Sequence, residues 1–139
     1  MKLFTIGYGG RGKDDFLALL EAHGVRTVVD IRLRPDRASM GIWVKAKSSD
    51  KGIESWLAAA GIGYRSLVEL GNLFLDFPDW ESRYQALLDS SGDLLTQRLA
   101  GIPGPICLLC AEKRVEECHR RQVADFLVQR QGAEVRHLI

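Results

Sequence analysis

Three short stretches of this chain hold neither a charged residue nor a turn former: Leu3-Phe4-Thr5-Ile6, Thr27-Val28-Val29 and Ile106-Cys107-Leu108-Leu109-Cys110. A strand with one wet face alternates apolar and polar residues. Unbroken apolar runs belong instead to strands covered on both faces, and these are mostly parallel. Helical patterns lie between the runs. Asp14-Asp15 precede Phe16, Leu17, Leu19 and Leu20, and Gly24 closes that segment. Ile53 to Ala60 stops at Gly61, while Trp80–Leu88 and Leu94–Leu99 are helical turns parted by Ser90-Ser91-Gly92. Val115 to Gln131 sets Val115, Cys118, Val123, Phe126 and Leu127 on one side before Gly132. Strands are expected at Leu3–Ile6, Val25–Ile31, Ile62–Leu67, Ile106–Cys110 and Val135–Ile139. The alternation predicts an α/β fold: a single three-layer domain over residues 1–139, with a mainly parallel sheet and helices on both faces. Only Asp36–Lys51 has no period, and reads as a long loop with short helical pieces.

Composition narrows the function classes. With 46% hydrophobic and 27% charged residues in 139, the chain can fill one core, which excludes general disorder, collagen and coiled coil. No window approaches the roughly 18–20 apolar residues of a membrane helix. The opening Met-Lys-Leu-Phe-Thr-Ile-Gly is too short an apolar run for a secretion signal. Three cysteines, Cys107, Cys110 and Cys118, are odd in number and clustered, a poor disulfide framework, so a reducing cytoplasm is expected. Net charge is only +1, but it is unevenly spread. Arg26–Lys51 holds seven bases against three acids (+4), and Glu69–Asp93 six acids against one base (−5). Such runs are often plain solvated faces; the basic one can also focus a field on an anion.

In open α/β sheets, ligands gather beyond the carboxyl ends of the strands. Three segments should meet there: Gly7-Tyr8-Gly9-Gly10-Arg11, Asp30-Ile31-Arg32-Leu33-Arg34, and Cys110-Ala111-Glu112-Lys113. Glycines from Gly7 onward let backbone N–H groups approach an anion, or simply make a tight turn; their spacing matches neither the dinucleotide fingerprint nor the P-loop. Asp30 and Arg32 face one way in a strand, either pairing with each other or holding an anion beside a base.

The cysteine-rich segment admits several readings. A phosphatase loop needs Arg after a Cys and five residues, but Cys110 leads to Glu116 and Cys107 to Lys113. Cys110 could be a thiolate near a helix start, whereas Cys107 and Cys118 read as packing. Zinc on Cys110, Cys118 and His119 is set aside, because neighbours on one helix point about 100° apart. No metal or cofactor is therefore expected. His119 could carry a proton.

Thr5-Ile6-Gly7-Tyr8-Gly9, Val29-Asp30-Ile31-Arg32 through Pro35, Gly61-Ile62-Gly63-Tyr64 leading to Leu70-Gly71-Asn72, and Cys110-Ala111-Glu112 through Cys118-His119-Arg120 resemble the bacterial and archaeal domain-of-unknown-function family numbered 488. The resemblance implies a small α/β domain without an assigned reaction. It points to Gly7, Tyr8, Asp30, Arg32, Cys110, Glu112, Cys118, His119 and Arg120 as shared polar or special positions. After Pro35, where many relatives carry a basic residue, Pro and Phe, this chain has Arg37-Ala38-Ser39-Met40.

Together these readings lead to an enzyme-like domain for a phosphate-bearing small ligand, a nucleotide or an exposed nucleic-acid base. Gly7, Tyr8, Arg11, Arg32, Arg34 and Arg120 would bind; Asp30, Glu112, His119 and Cys110 would act on the ligand. Trp43 could add a stacking surface. The alternative is a non-catalytic domain whose Asp, Glu and Arg residues form a structural ion-pair network.

Overall fold

The computed structural model describes residues 1–139. Five strands, β1 (Lys2–Gly7), β2 (Thr27–Asp30), β3 (Gly63–Ser66), β4 (Ile106–Cys110) and β5 (Glu134–His137), make one sheet in the order β3-β2-β4-β1-β5, every pair parallel. Four helices, α1 (Lys13–Ala22), α2 (Gly52–Ala59), α3 (Trp80–Leu95) and α4 (Arg120–Gln131), connect them. This is the expected α/β architecture. No helix is long and apolar enough to cross a membrane.

The uncharged runs are buried on both faces because helices cover both. Phe4, Ile6, Val28, Cys107 and Leu109 pack with Phe16 and Leu20 of α1 and Ile53 and Leu57 of α2. The residues between them, Leu3, Val29, Ile106 and Leu108, pack with Tyr84 and Leu88 of α3 and Val123 and Leu127 of α4. Each fully buried aliphatic side chain of this kind contributes about 1.5–3 kcal/mol. β4, apolar throughout, is the middle strand: Leu108 lies in register with Thr5 of β1 and Val29 of β2. The aperiodic segment is a loop with a 3-10 turn at Gly41–Trp43, and Trp43, 1% exposed, packs on Tyr8, Phe16 and Trp56. Trp43 is a core residue, which removes it as a stacking surface for a ligand.

Two helical expectations need correction. Ser90-Ser91-Gly92 does not interrupt a helix; α3 runs through it. Gly92 is there for space: a Cβ on it would lie 2.5 Å from the Phe126 ring of α4, so any side chain there forces that ring or the helices to shift. The last helix is shorter than its pattern. Val115–Glu117 is a separate 3-10 turn, Cys118 is extended (φ −128°, ψ 141°), and α4 begins at Arg120. Gly132 then ends α4 at φ +67°.

Replacing Gly92 by Ala should therefore destabilise the fold by about 1–3 kcal/mol through overpacking, although Ala is the better helix former by about 1 kcal/mol. Urea denaturation checks this, and Phe126→Leu in the same chain should restore part of the loss. An unchanged or raised midpoint for Gly92→Ala would show that the helices do not need the glycine.

Candidate functional site

From β2 the chain continues by α2 to β3, and from β4 it continues by α4 to β5, so the connections leave these neighbouring strands in opposite directions. A crevice is expected at the carboxyl ends of such a pair. A cavity of about 300 Å³ opens there, lined by Tyr8, Arg32, Arg34, Cys110, Glu112 and His119 among others. All three anticipated segments contribute to it.

Asp30 lies behind Arg32 and does not line the cavity. It is fully buried. Its carboxylate accepts from Arg32 Nε (2.9 Å), Arg32 Nη2 (2.7 Å), the Arg32 backbone N–H (3.1 Å) and the Tyr64 hydroxyl. Burial alone would favour a neutral Arg32, but the hydrogen bonds and charge of Asp30 reverse that and hold the guanidinium protonated above its ordinary range. Burial and the same carboxylate push the Tyr64 hydroxyl up. With its oxygens committed, Asp30 is a structural anion and not a free base, which corrects that part of the expectation. Arg32 is different. It is 5% exposed, lies over the Tyr8 ring at 5.3 Å and lines the cavity, while its Nη1 is buried with no hydrogen-bond partner.

Arg120 and Arg11 do not reach the cavity. Arg120, 1% exposed, donates to the backbone carbonyls of Glu112 (2.6 Å) and Lys113 (3.1 Å) and to Thr5 Oγ1 (3.4 Å). Arg11 donates to the carbonyls of Gly7 (2.7 Å) and Leu138 (3.3 Å). Both guanidiniums tie loops together. Gly7 serves the same purpose: a Cβ there would fall 1.7 Å from the Glu112 carbonyl oxygen. The amides after it are also spent, since Tyr8 N–H donates to the Cys110 carbonyl and Gly9 N–H to the Ala111 carbonyl. This loop is a docking surface for the β4 loop and not an anion cradle. Arg34 stays exposed on the cavity rim, 3.3 Å from Asp36.

The thiols and the imidazole sit on the α3–α4 side of the sheet. His119 Nε2 is 3.0 Å from the Ile31 carbonyl oxygen, an acceptor, so Nε2 carries the proton and Nδ1 is a lone pair. That lone pair faces Cys118 Sγ (3.7 Å) and Cys110 Sγ (3.8 Å). The three ligand atoms lie within 4.8 Å of one another and all three residues are buried. Cys118 and His119 precede α4, so the helical geometry that argued against a shared ion does not apply to them. Cys110 also donates to Glu112 Oε2 (3.2 Å). The thiols share their protons unequally. Cys110 is pushed above the ordinary thiol range by its contact with Cys118 and by burial. Cys118, although buried, is drawn below that range by its contacts with Cys110 and the imidazole and by the Arg120 backbone N–H. Cys107 is fully buried on the other face, where burial pushes its thiol up.

Sequence reasoning missed Tyr64, the third member of the Asp30 cluster, and the wall formed by Asn72, Leu73, Leu75 and Asp76. The available signal was the segment Gly63-Tyr64 leading to Leu70-Gly71-Asn72, which carries part of the family resemblance. Gly71 packs against Leu33, where a Cβ would lie 2.5 Å from the Leu33 Cα, and this brings Asn72 to the cavity.

Compared with known proteins, residues 13–127 match the family described as Domain of unknown function DUF488. No curated protein and no solved structure matches the chain.

Removing one member of the buried pair should cost far more than removing both. Asp30→Ala leaves the Arg32 charge uncompensated, for a loss of about 3–5 kcal/mol, and the double variant Asp30→Leu/Arg32→Met should recover most of it. Chemical denaturation of the two chains measures this. Additive losses would mean that the two side chains do not act as a pair.

Proposed function

Because the chain belongs to the DUF488 family, whose description assigns no activity, its function is read from its own cavity, and we propose that this cavity binds a small phosphate-bearing ligand of nucleotide type through Arg32. The observation that carries the reading is the Arg32 guanidinium: Nε and Nη2 are committed to Asp30, Nη1 is buried with no hydrogen-bond partner, and the residue lines the cavity. An unsatisfied buried donor costs about 1–3 kcal/mol, and an anion accepting from Nη1 offsets that cost. Arg34 and Arg37 on the same rim extend the positive field, which fits a phosphate better than a neutral ligand. Leu33, Leu73 and Leu75 line the cavity and are 38%, 61% and 60% exposed, apolar surface suited to a base or another ring. Among the carboxylates that line the cavity, Glu112 is half-buried and has no cationic partner, which makes it the acid/base of this reading. His119 and Cys110 stand beside it.

A structural network also has support, from the buried Asp30–Arg32 ion pair with Tyr64 and from the backbone hydrogen bonds of Arg120. The readings divide by atom: those residues and two branches of Arg32 belong to the scaffold, and the third branch belongs to the ligand.

Arg32→Lys separates them, because lysine keeps a charge beside Asp30 and removes the unpartnered Nη1 N–H. The wild-type chain should be stabilised in thermal-shift assays by members of a panel of nucleotides and inorganic phosphate, and not by nucleosides alone. A charge-assisted hydrogen bond is worth about 1.5–3 kcal/mol, so Arg32→Lys should weaken binding by roughly tenfold or more. A panel with no phosphate compound that stabilises the wild type, or equal affinity in the variant, overturns the reading.

A further inference from the structure

We propose that Cys110, Cys118 and His119 form a site for a divalent transition metal ion, best matched by zinc. The ligand set is soft to borderline, two sulfurs and one imidazole nitrogen, which suits zinc and disfavours magnesium or calcium. The geometry is close to what an ion needs. With metal–ligand bonds of about 2.0–2.3 Å, the edges of a tetrahedron are about 3.5–3.8 Å long. Nδ1 of His119 lies 3.8 Å from Cys110 Sγ and 3.7 Å from Cys118 Sγ. The sulfurs lie within 4.8 Å of each other and would close by no more than about 1 Å.

The surroundings are arranged as they are around metal-bound histidines. Such a histidine gives its second ring N–H to a carboxylate or backbone carbonyl, which fixes the tautomer and aims the lone pair. Here Nε2 donates to the Ile31 carbonyl at 3.0 Å, and the Tyr84 ring packs edge-on against the imidazole at 5.1 Å. The Arg120 backbone N–H donates to Cys118 Sγ at 3.4 Å, supporting negative charge on that sulfur. Without a metal, two sulfurs converge on a single imidazole lone pair, which can accept from only one of them. A divalent ion resolves this: it displaces one proton from each thiol to solvent, forms two metal–sulfur bonds and one metal–nitrogen bond, and leaves the buried cluster neutral. Glu112, whose Oε2 is 3.2 Å from Cys110 Sγ, stands beside these three ligands.

The site does not depend on anion binding by Arg32, and each can fail without the other. The test is cobalt titration of the full chain, reduced and stripped of metal with a chelator, under anaerobic conditions. Cobalt(II) should bind at about one ion per chain, with strong thiolate-to-cobalt absorption in the near ultraviolet and the intense visible bands of four-coordinate cobalt, all displaced by zinc. Cys118→Ser and His119→Gln should each weaken binding by more than about tenfold, whereas Cys107→Ala, altering the remote thiol, should bind as the wild type does. If the first two variants fail to fold, the Cys107→Ala spectrum decides alone, because its thiolate absorption can come only from Cys110 and Cys118. Absence of that absorption overturns the proposal. So does wild-type affinity in Cys118→Ser.

Discussion

The Arg120 guanidinium ties together the parts that meet at the carboxyl edge of the sheet. It leaves the first residue of α4, passes Thr5 of β1, and ends on the carbonyls of Glu112 and Lys113 in the loop after β4. That loop carries Cys110 and Glu112 at one end, and the chain returns through Cys118 and His119 immediately before Arg120 itself. One buried side chain therefore sets the spacing between the β4 loop and the start of α4, and with it the distance from Cys110 to the imidazole. Gly7 is the complementary requirement, because any side chain there would push the Glu112 carbonyl away.

Strand alternation divides the chemistry between the two faces of the sheet. Val28, Asp30 and Arg32 follow one parity, and the carboxylate and guanidinium come to the α1–α2 side with Tyr64 and Tyr8. Ile106, Leu108 and Cys110 follow the other, so the thiol comes to the α3–α4 side with Cys118 and His119. The cavity is where the strands end and the division lapses, which is why a guanidinium and a thiol–imidazole pair can line the same space.

Much of this was legible in the residues themselves. Uncharged runs separated by helical periods are enough to specify a parallel sheet covered on both sides, and the quoted motifs identified the family. That Asp30, Arg32, Cys110, Glu112 and His119 gather at one sheet edge followed from architecture. Their division of labour did not, since it depends on where individual donors point: Arg32 and Arg120 look alike in sequence, yet one keeps a free N–H and the other spends its guanidinium on backbone carbonyls. The helix boundaries depart from their sequence pattern for related reasons. Ser90-Ser91-Gly92 has the composition of a break, but tertiary contact with Phe126 decides its conformation. Cys118 fits a helical stripe by spacing, but it lies outside the helix, and this turns a poor ligand pair into a convergent one.

The place of β4 in the sheet has a consequence for the order in which the molecule assembles. β1 and β2 do not touch each other along their length; β4 lies between them and pairs with both. A chain emerging from the ribosome thus exposes two apolar strands that have no shared ladder until residues 106–110 arrive. Only the local β2–β3 pair can form earlier. Closure of the sheet is a late, long-range event with a high contact order, and the N-terminal hundred residues remain unfinished until the cysteine-bearing strand joins them.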